Sequence, residues 1–184
     1  MHQRRVLLLA LIPIAALFAL FAWGLVKSGG QPAGISINSV FGEVPLKPAA
    51  ARDFALPLLS GQTLVLQDLR GQVVMLDFWS SWCPPCREEA PVLARAHERY
   101  RDKGIAFLGV AIWDTEDEVR RFIERNGVRY PNGLDTRGAI AIEYGVKGIP
   151  EKFFVDRQGN LVRKFVGPVT EERLNAVLDE LLAR

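Results

Sequence analysis

The sequence predicts an α/β domain with a central mixed sheet flanked by helices, and three observations carry that expectation. Two almost wholly apolar runs, Val73–Trp79 and Ile105–Ile112, are of the kind a sheet buries on both faces. Helical stretches separate and follow them, which is the alternation of an α/β architecture. The third is Trp82-Cys83-Pro84-Pro85-Cys86, which holds the chain's only two cysteines just past the first run. Chemistry in such sheets gathers at the C-terminal ends of strands.

The 184-residue chain opens on an apolar segment. Residues 6–26 carry no charge and, at ~1.5 Å per residue, reach across a ~30 Å hydrocarbon core. Arg4 and Arg5 precede them, so residues 1–5 read as a cytoplasmic basic region and 6–26 as a single transmembrane signal-anchor helix. A cleaved signal peptide, ending near Ala22-Trp23-Gly24 or Ser28-Gly29-Gly30, is the alternative; the run exceeds the usual ~7–15-residue signal core. Either way the rest is expected on the extracytoplasmic side of the cell membrane, where thiols can be oxidised. Residues 27–52, rich in Gly, Pro, Ser and Ala, read as a tether with one docked strand, and residues 53–184 as the folded domain.

The domain is expected to begin with an N-terminal β-hairpin, Phe54–Leu56 and Thr63–Leu66, turning at Leu59-Ser60-Gly61-Gln62. After the strand Val73–Trp79, a helix is expected from Cys86 to Arg101, with Pro91 as a kink. Past Ile105–Ile112, a short central insert opens on a capping box, Thr115 with Glu118, and an apolar stripe of Val119, Phe122 and Ile123. A shorter helix, Thr136–Tyr144, follows Asp135 as its N-cap. Strands Lys152–Val155 and Leu161–Val166 flank the turn Asp156–Asn160. Thr170 caps a last helix in which Leu174, Val177, Leu178, Leu181 and Leu182 share a face.

Composition narrows the function. Against 21 acidic residues stand 23 basic ones, and Arg4 with Arg5 supplies the surplus, so the domain is neutral and no basic patch points to nucleic acid. Two cysteines at C-x-x-C spacing at a helix start form a small disulfide that opens and closes readily. There the first thiol faces unpaired N–H groups and partial positive charge, which favour thiolate. That is the equipment of a dithiol/disulfide exchanger. His97 lies ~16 Å along the helix from Cys86, too far to join the cysteines, so no metal site is expected. Asp77, inside an apolar strand, should have a raised pKa and could accept the proton that Cys86 loses on attack. Glu89 falls one helical turn past Cys86. Pro84 and Pro85 remove two backbone donors and stiffen the turn, which tunes the redox potential.

Leu76–Glu89, with Asp77-Phe78-Trp79-Ser80-Ser81-Trp82 leading into the cysteines, resembles the active-site stretch of the thioredoxin superfamily, specifically its membrane-anchored TlpA/ResA/CcmG (DsbE) branch. Pro91 matches that family's kink proline. Gly145-Val146-Lys147-Gly148-Ile149-Pro150-Glu151 resembles the G-V-x-G-x-P-E segment of its cytochrome c maturation members. The resemblance runs over Asp53–Arg184 and implies a thioredoxin-like fold. It implies Cys83 as the more exposed thiol and nucleophile, and Cys86 as the thiol that resolves the mixed disulfide. It matches Asp77 to the buried aspartate of thioredoxin itself, where many members of the branch carry asparagine. A glutamate at Glu89 would perturb the cysteine titrations.

Glu151 would be a second acidic group near the site, and Trp82 an apolar contact surface for substrate, with Trp79 divided between that role and the core. Cis X-Pro bonds are a minority, ~5–6%, but the resemblance implies one at Ile149–Pro150, where backbone groups would pair with an extended substrate. The implied substrate is a protein disulfide, that of apocytochrome c, with electrons from a membrane thiol carrier of the CcdA/DsbD kind. No cofactor is expected beyond the Cys83–Cys86 couple itself. A general extracytoplasmic disulfide reductase or oxidant, and a Cu(I) carrier using two thiolates, are the alternatives. A peroxiredoxin signature would need proline at position 76, which is Leu76.

Overall fold

The computed structural model describes residues 12–23 and 36–184. The chain divides into two compact units, Met1–Gly34 and Ile35–Arg184. In the first, residues 12–23 form a helix, α1. Among the described residues no helix is long and apolar enough to cross a membrane. The expected span 6–26 extends past the described residues on both sides, and the basic region 1–5 lies outside them.

The second unit begins with short strands β1 (Ser36–Ile37), β2 (Gly42–Val44) and β3 (Ala49–Ala50), then the hairpin β4 (Ala55–Pro57) and β5 (Thr63–Val65). Then come β6 (Val73–Trp79), α2 (Pro84–Tyr100), β7 (Ile105–Ile112), α3 (Glu116–Asn126), β8 (Asn132–Asp135) and α4 (Ala139–Glu143). The chain ends with β9 (Gly148–Ile149), β10 (Glu151–Val155), β11 (Asn160–Val166) and α5 (Glu171–Leu182). The central sheet runs β2-β11-β10-β6-β7-β8, with β3 also on β11. Strands β6, β7 and β8 are parallel, while β10 and β11 are antiparallel to their neighbours, so the sheet is mixed as expected.

Every residue of β6 is buried, because helices cover one face and aromatic rings the other. On the Asp77 side, Trp79 stacks on Phe122 of α3 at 4.3 Å and donates its indole N–H to Asn132 (3.0 Å), which makes it a core residue. Tyr100 of α2 reaches Asp179 of α5 at 2.8 Å. On the other side, Phe78 packs on Phe153 and Tyr144, and Tyr144 on Phe54, beneath the β4–β5 hairpin.

Three sequence expectations change. The tether stretch carries more than one docked strand: β2 and β3 pair with β11, and Glu43 bridges Arg163 (2.6 Å) and Arg173. The capping box is half formed. Thr115 Oγ1 accepts from Glu118 N at 3.4 Å, but Glu118 turns to Arg121, and Thr115 N donates to Asp114 instead (2.8 Å). Strand β8 had no sequence signal, since Asn132-Gly133-Leu134-Asp135 lacks strand-forming residues; pairing with β7 imposes it.

Candidate active site

Strand β6 delivers the chain to the site, and α2 starts there. Cys83 is the N-cap of α2, with Pro84 and Pro85 at the first two helical positions, where proline loses no hydrogen bond. The helix thus begins earlier than Cys86. Cys83 and Cys86 are joined as a disulfide with Cα atoms 5.3 Å apart. Cys83 Sγ also accepts from the N–H of Cys86 at 3.3 Å, and no acidic residue occupies the first turn, so the helix terminus favours a thiolate at Cys83. The expected exposure of Cys83 is not found: Cys83 is 0% and Cys86 2% exposed. The N-cap geometry folds the first sulfur back over the helix end.

A loop after β7 clamps the entry. The Asp114 carboxylate accepts from Ser81 N (2.6 Å) and Ser81 Oγ (3.0 Å), while Trp82 Nε1 donates to Trp113 O (3.0 Å). Trp82 and Trp113 are both exposed, at 41% and 42%, and Trp113 holds a left-handed φ of 47°. Trp82 is therefore open to solvent beside the dithiol. Asp114 and Trp113 were missed by sequence reasoning; their place at a strand's C-terminal end was the available signal.

The carboxyls expected at the site are all buried. Asp77 lies on β6 facing Lys152 across the β6–β10 pair, and its Oδ1 has no hydrogen-bond partner. Burial pushes its pKa up to about 8, opposed by Lys152 and reinforced by Glu89. Glu89 accepts the Lys152 ammonium and the N–H of Val169 (2.9 Å); burial raises its pKa, and those two donors work against the rise. Lys152, missed from sequence, is fully buried and also donates to Gly167 O at 3.1 Å.

Glu151, expected near substrate, is 1% exposed and instead braces the loop before Pro150. Its Oε1 accepts from Lys147 N (3.2 Å) and Gly148 N (3.3 Å), and Lys164 Nζ lies 2.6 Å from Oε2. Alternation along β10 sends Glu151 and Lys152 to opposite faces.

The Ile149–Pro150 peptide bond is cis. Its backbone edge, expected to receive substrate, is occupied by the chain itself. Strand β1 runs parallel to β9, with Ser36 N donating to Lys147 O (3.0 Å) and Asn38 N to Ile149 O (2.7 Å). A side chain on Gly148 would strike Ser36, which is why glycine stands there. A covalently linked strand reaches an open edge at high effective concentration, so an extended substrate gains Ile149 O only by displacing Ser36–Asn38.

With this geometry in hand, the similarities to known proteins are specific. Residues 48–164 match the model of the AhpC/TSA family. Over 131 residues the chain is 31% identical to the thiol-disulfide oxidoreductase ResA of Bacillus thuringiensis, covering 71% of this chain and 76% of that one. Among solved structures, a thiol:disulfide interchange protein of Chlorobium tepidum superposes with a TM-score of 0.68 at 26% identity, covering 76% of this chain and 99% of that one. A secreted Mycobacterium tuberculosis disulfide oxidoreductase homologous to E. coli DsbE gives 0.64 at 26%, covering 70% and 96%. A dithiol pair at a helix N-terminus on this sheet, with these relatives, places the chain in the AhpC/TSA family as a thioredoxin-like thiol–disulfide oxidoreductase of the ResA/DsbE type.

Proposed function

We propose that the protein is a reductant of protein disulfides outside the cytoplasmic membrane, and that its substrate is the haem-binding C-x-x-C pair of apocytochrome c. The observation that carries the direction is the pair of buried carboxyls, Asp77 and Glu89, set on the strand and helix that hold the dithiol. Reduction leaves a buried negative charge on this pair as Cys86 takes a proton from it, which disfavours the reduced form and so lowers the potential; a strong oxidant has the opposite arrangement, a stabilised reduced form.

Cys83 attacks the substrate disulfide and forms a mixed disulfide. The thiol of Cys86 gives its proton to the Asp77 carboxylate, and its sulfur attacks Cys83, releasing substrate as a thiolate that water protonates. A membrane thiol carrier of the CcdA/DsbD kind would return the electrons, and residues 6–26 would hold the domain at the membrane.

The test is the equilibrium potential of the Cys83–Cys86 couple, followed by reduction of an apocytochrome c peptide disulfide. A value near ~−270 mV with peptide reduction is expected. A value near ~−120 mV would make the protein a disulfide donor and remove the cytochrome reading.

A further inference from the structure

Asp77 on β6, Glu89 on α2 and Lys152 on β10 form a buried cluster with two carboxyls and one ammonium. An uncompensated charge is costly in such a place, so one proton is retained by the carboxyl pair. The donors decide which carboxyl holds it. Glu89 Oε2 accepts both Lys152 Nζ and Val169 N, which stabilises its ionised form. Glu89 Oε1 and Asp77 Oδ1 both lack a partner, so the difference lies in the two donors on Glu89 Oε2, which leave Asp77 as the carboxyl better suited to the protonated acid. Among the described residues Tyr130 also faces the cluster; burial first, then the charges of Asp77 and Glu89, push its ionisation well up, so it stays neutral.

We propose that Lys152 is a positioning residue for the exchange: by holding Glu89 ionised, it leaves the shared proton on Asp77, where Cys86 can take it and return it. The inference rests on the oxidoreductase reading above. When a donor thiolate attacks Cys83 in the oxidised protein, the Cys83–Cys86 bond breaks, Cys86 leaves with the electron pair, and Asp77 protonates it. The Asp77 carboxylate so formed lies opposite the Lys152 ammonium. When Cys86 later attacks the mixed disulfide, the proton returns to Asp77 and the electron pair leaves on the substrate sulfur. The cluster therefore passes from neutral to one negative charge per half-cycle, and Lys152 holds the excess at one.

The test follows the Asp77 carboxyl by carbon-13 NMR across pH in the oxidised full-length chain, its signal identified by loss in Asp77→Asn. In Glu89→Gln, Lys152 is free to pair with Asp77, and the titration should move down by about one unit or more. In Lys152→Met it should move up by about as much. The neutral double variant Glu89→Gln/Lys152→Met should titrate above Glu89→Gln; if Lys152→Met does not fold, this comparison decides. Shifts of opposite sign support the proposal. An Asp77 titration indifferent to Lys152, in either the wild-type or the Glu89→Gln background, overturns it. Disulfide reduction by the wild type, abolished in Cys83→Ser, is measured separately. Its absence would sink the oxidoreductase reading and leave the carboxyl titration to be judged by itself.

Discussion

Glu151 and Lys152 are neighbours on one strand, yet the two buried ion pairs they enter differ in kind. Glu151 with Lys164 is balanced, one carboxyl to one ammonium, and its second oxygen is filled by the N–H groups of Lys147 and Gly148. Lys152 with Glu89 is unbalanced, because Asp77 adds a second carboxyl for the one ammonium. The first arrangement holds the loop before Pro150 in place. The second retains a proton on its carboxyl pair. The brace is also the shallower pair, with the Lys164 side chain 10% exposed against 0% for Lys152, so charge count and depth together separate a brace from a proton store.

The largest expected effect is on the brace. Glu151→Ala should cost about 3–4 kcal/mol in urea unfolding, since it strands the Lys164 ammonium and two loop N–H groups. A cost below about 1 kcal/mol would show that the pair holds nothing. Next, Asp77→Asn should slow single-turnover exchange at pH 7 about 100-fold, the usual scale of a lost acid–base group. An unchanged rate would assign the proton to solvent.

The same variant should also change stability. The Asp77 carboxyl titrates at about 8 when folded against a model value of 3.8, so the folded chain keeps a proton that the unfolded chain releases. Its contribution is full below the unfolded value and is lost as pH rises toward 8. Asp77→Asn cannot ionise, so it should gain about 3–4 kcal/mol on wild type between pH 5 and pH 8; parallel pH profiles would contradict the raised titration. The smallest effect sharpens the contrast: replacing both brace partners, Glu151→Gln with Lys164→Met, should lie within about 1 kcal/mol of wild type. A loss as large as that of Glu151→Ala would mean that the charge itself is required.

Much of this was legible in the residues. Strands β6 and β7 have the expected bounds because an unbroken apolar run between breakers leaves few alternatives. The dithiol was legible because only two cysteines exist and their spacing sets their geometry. Lys152 was not, although a lysine opening the apolar run Phe153-Phe154-Val155 hinted at a buried cation; its partner Glu89 lies 63 positions away. Nor was the occupation of the Pro150 edge: the apolar piece Ile35–Ile37 hinted at a docked strand, but nothing local says which edge receives it.

The sequence by itself determined the α/β layering, the hairpins, the helix start at the cysteines and the redox chemistry, because periodicity, capping and thiol spacing act over a few residues. Only the tertiary structure decided which carboxyl meets which lysine, which one keeps its proton, that Cys83 is covered, and what occupies the substrate edge. Those outcomes depend on strand register, which brings Asp77 opposite Lys152 and Ile149 beside Ile37. A shift of one residue would exchange every face, and long-range pairing alone selects among such shifts.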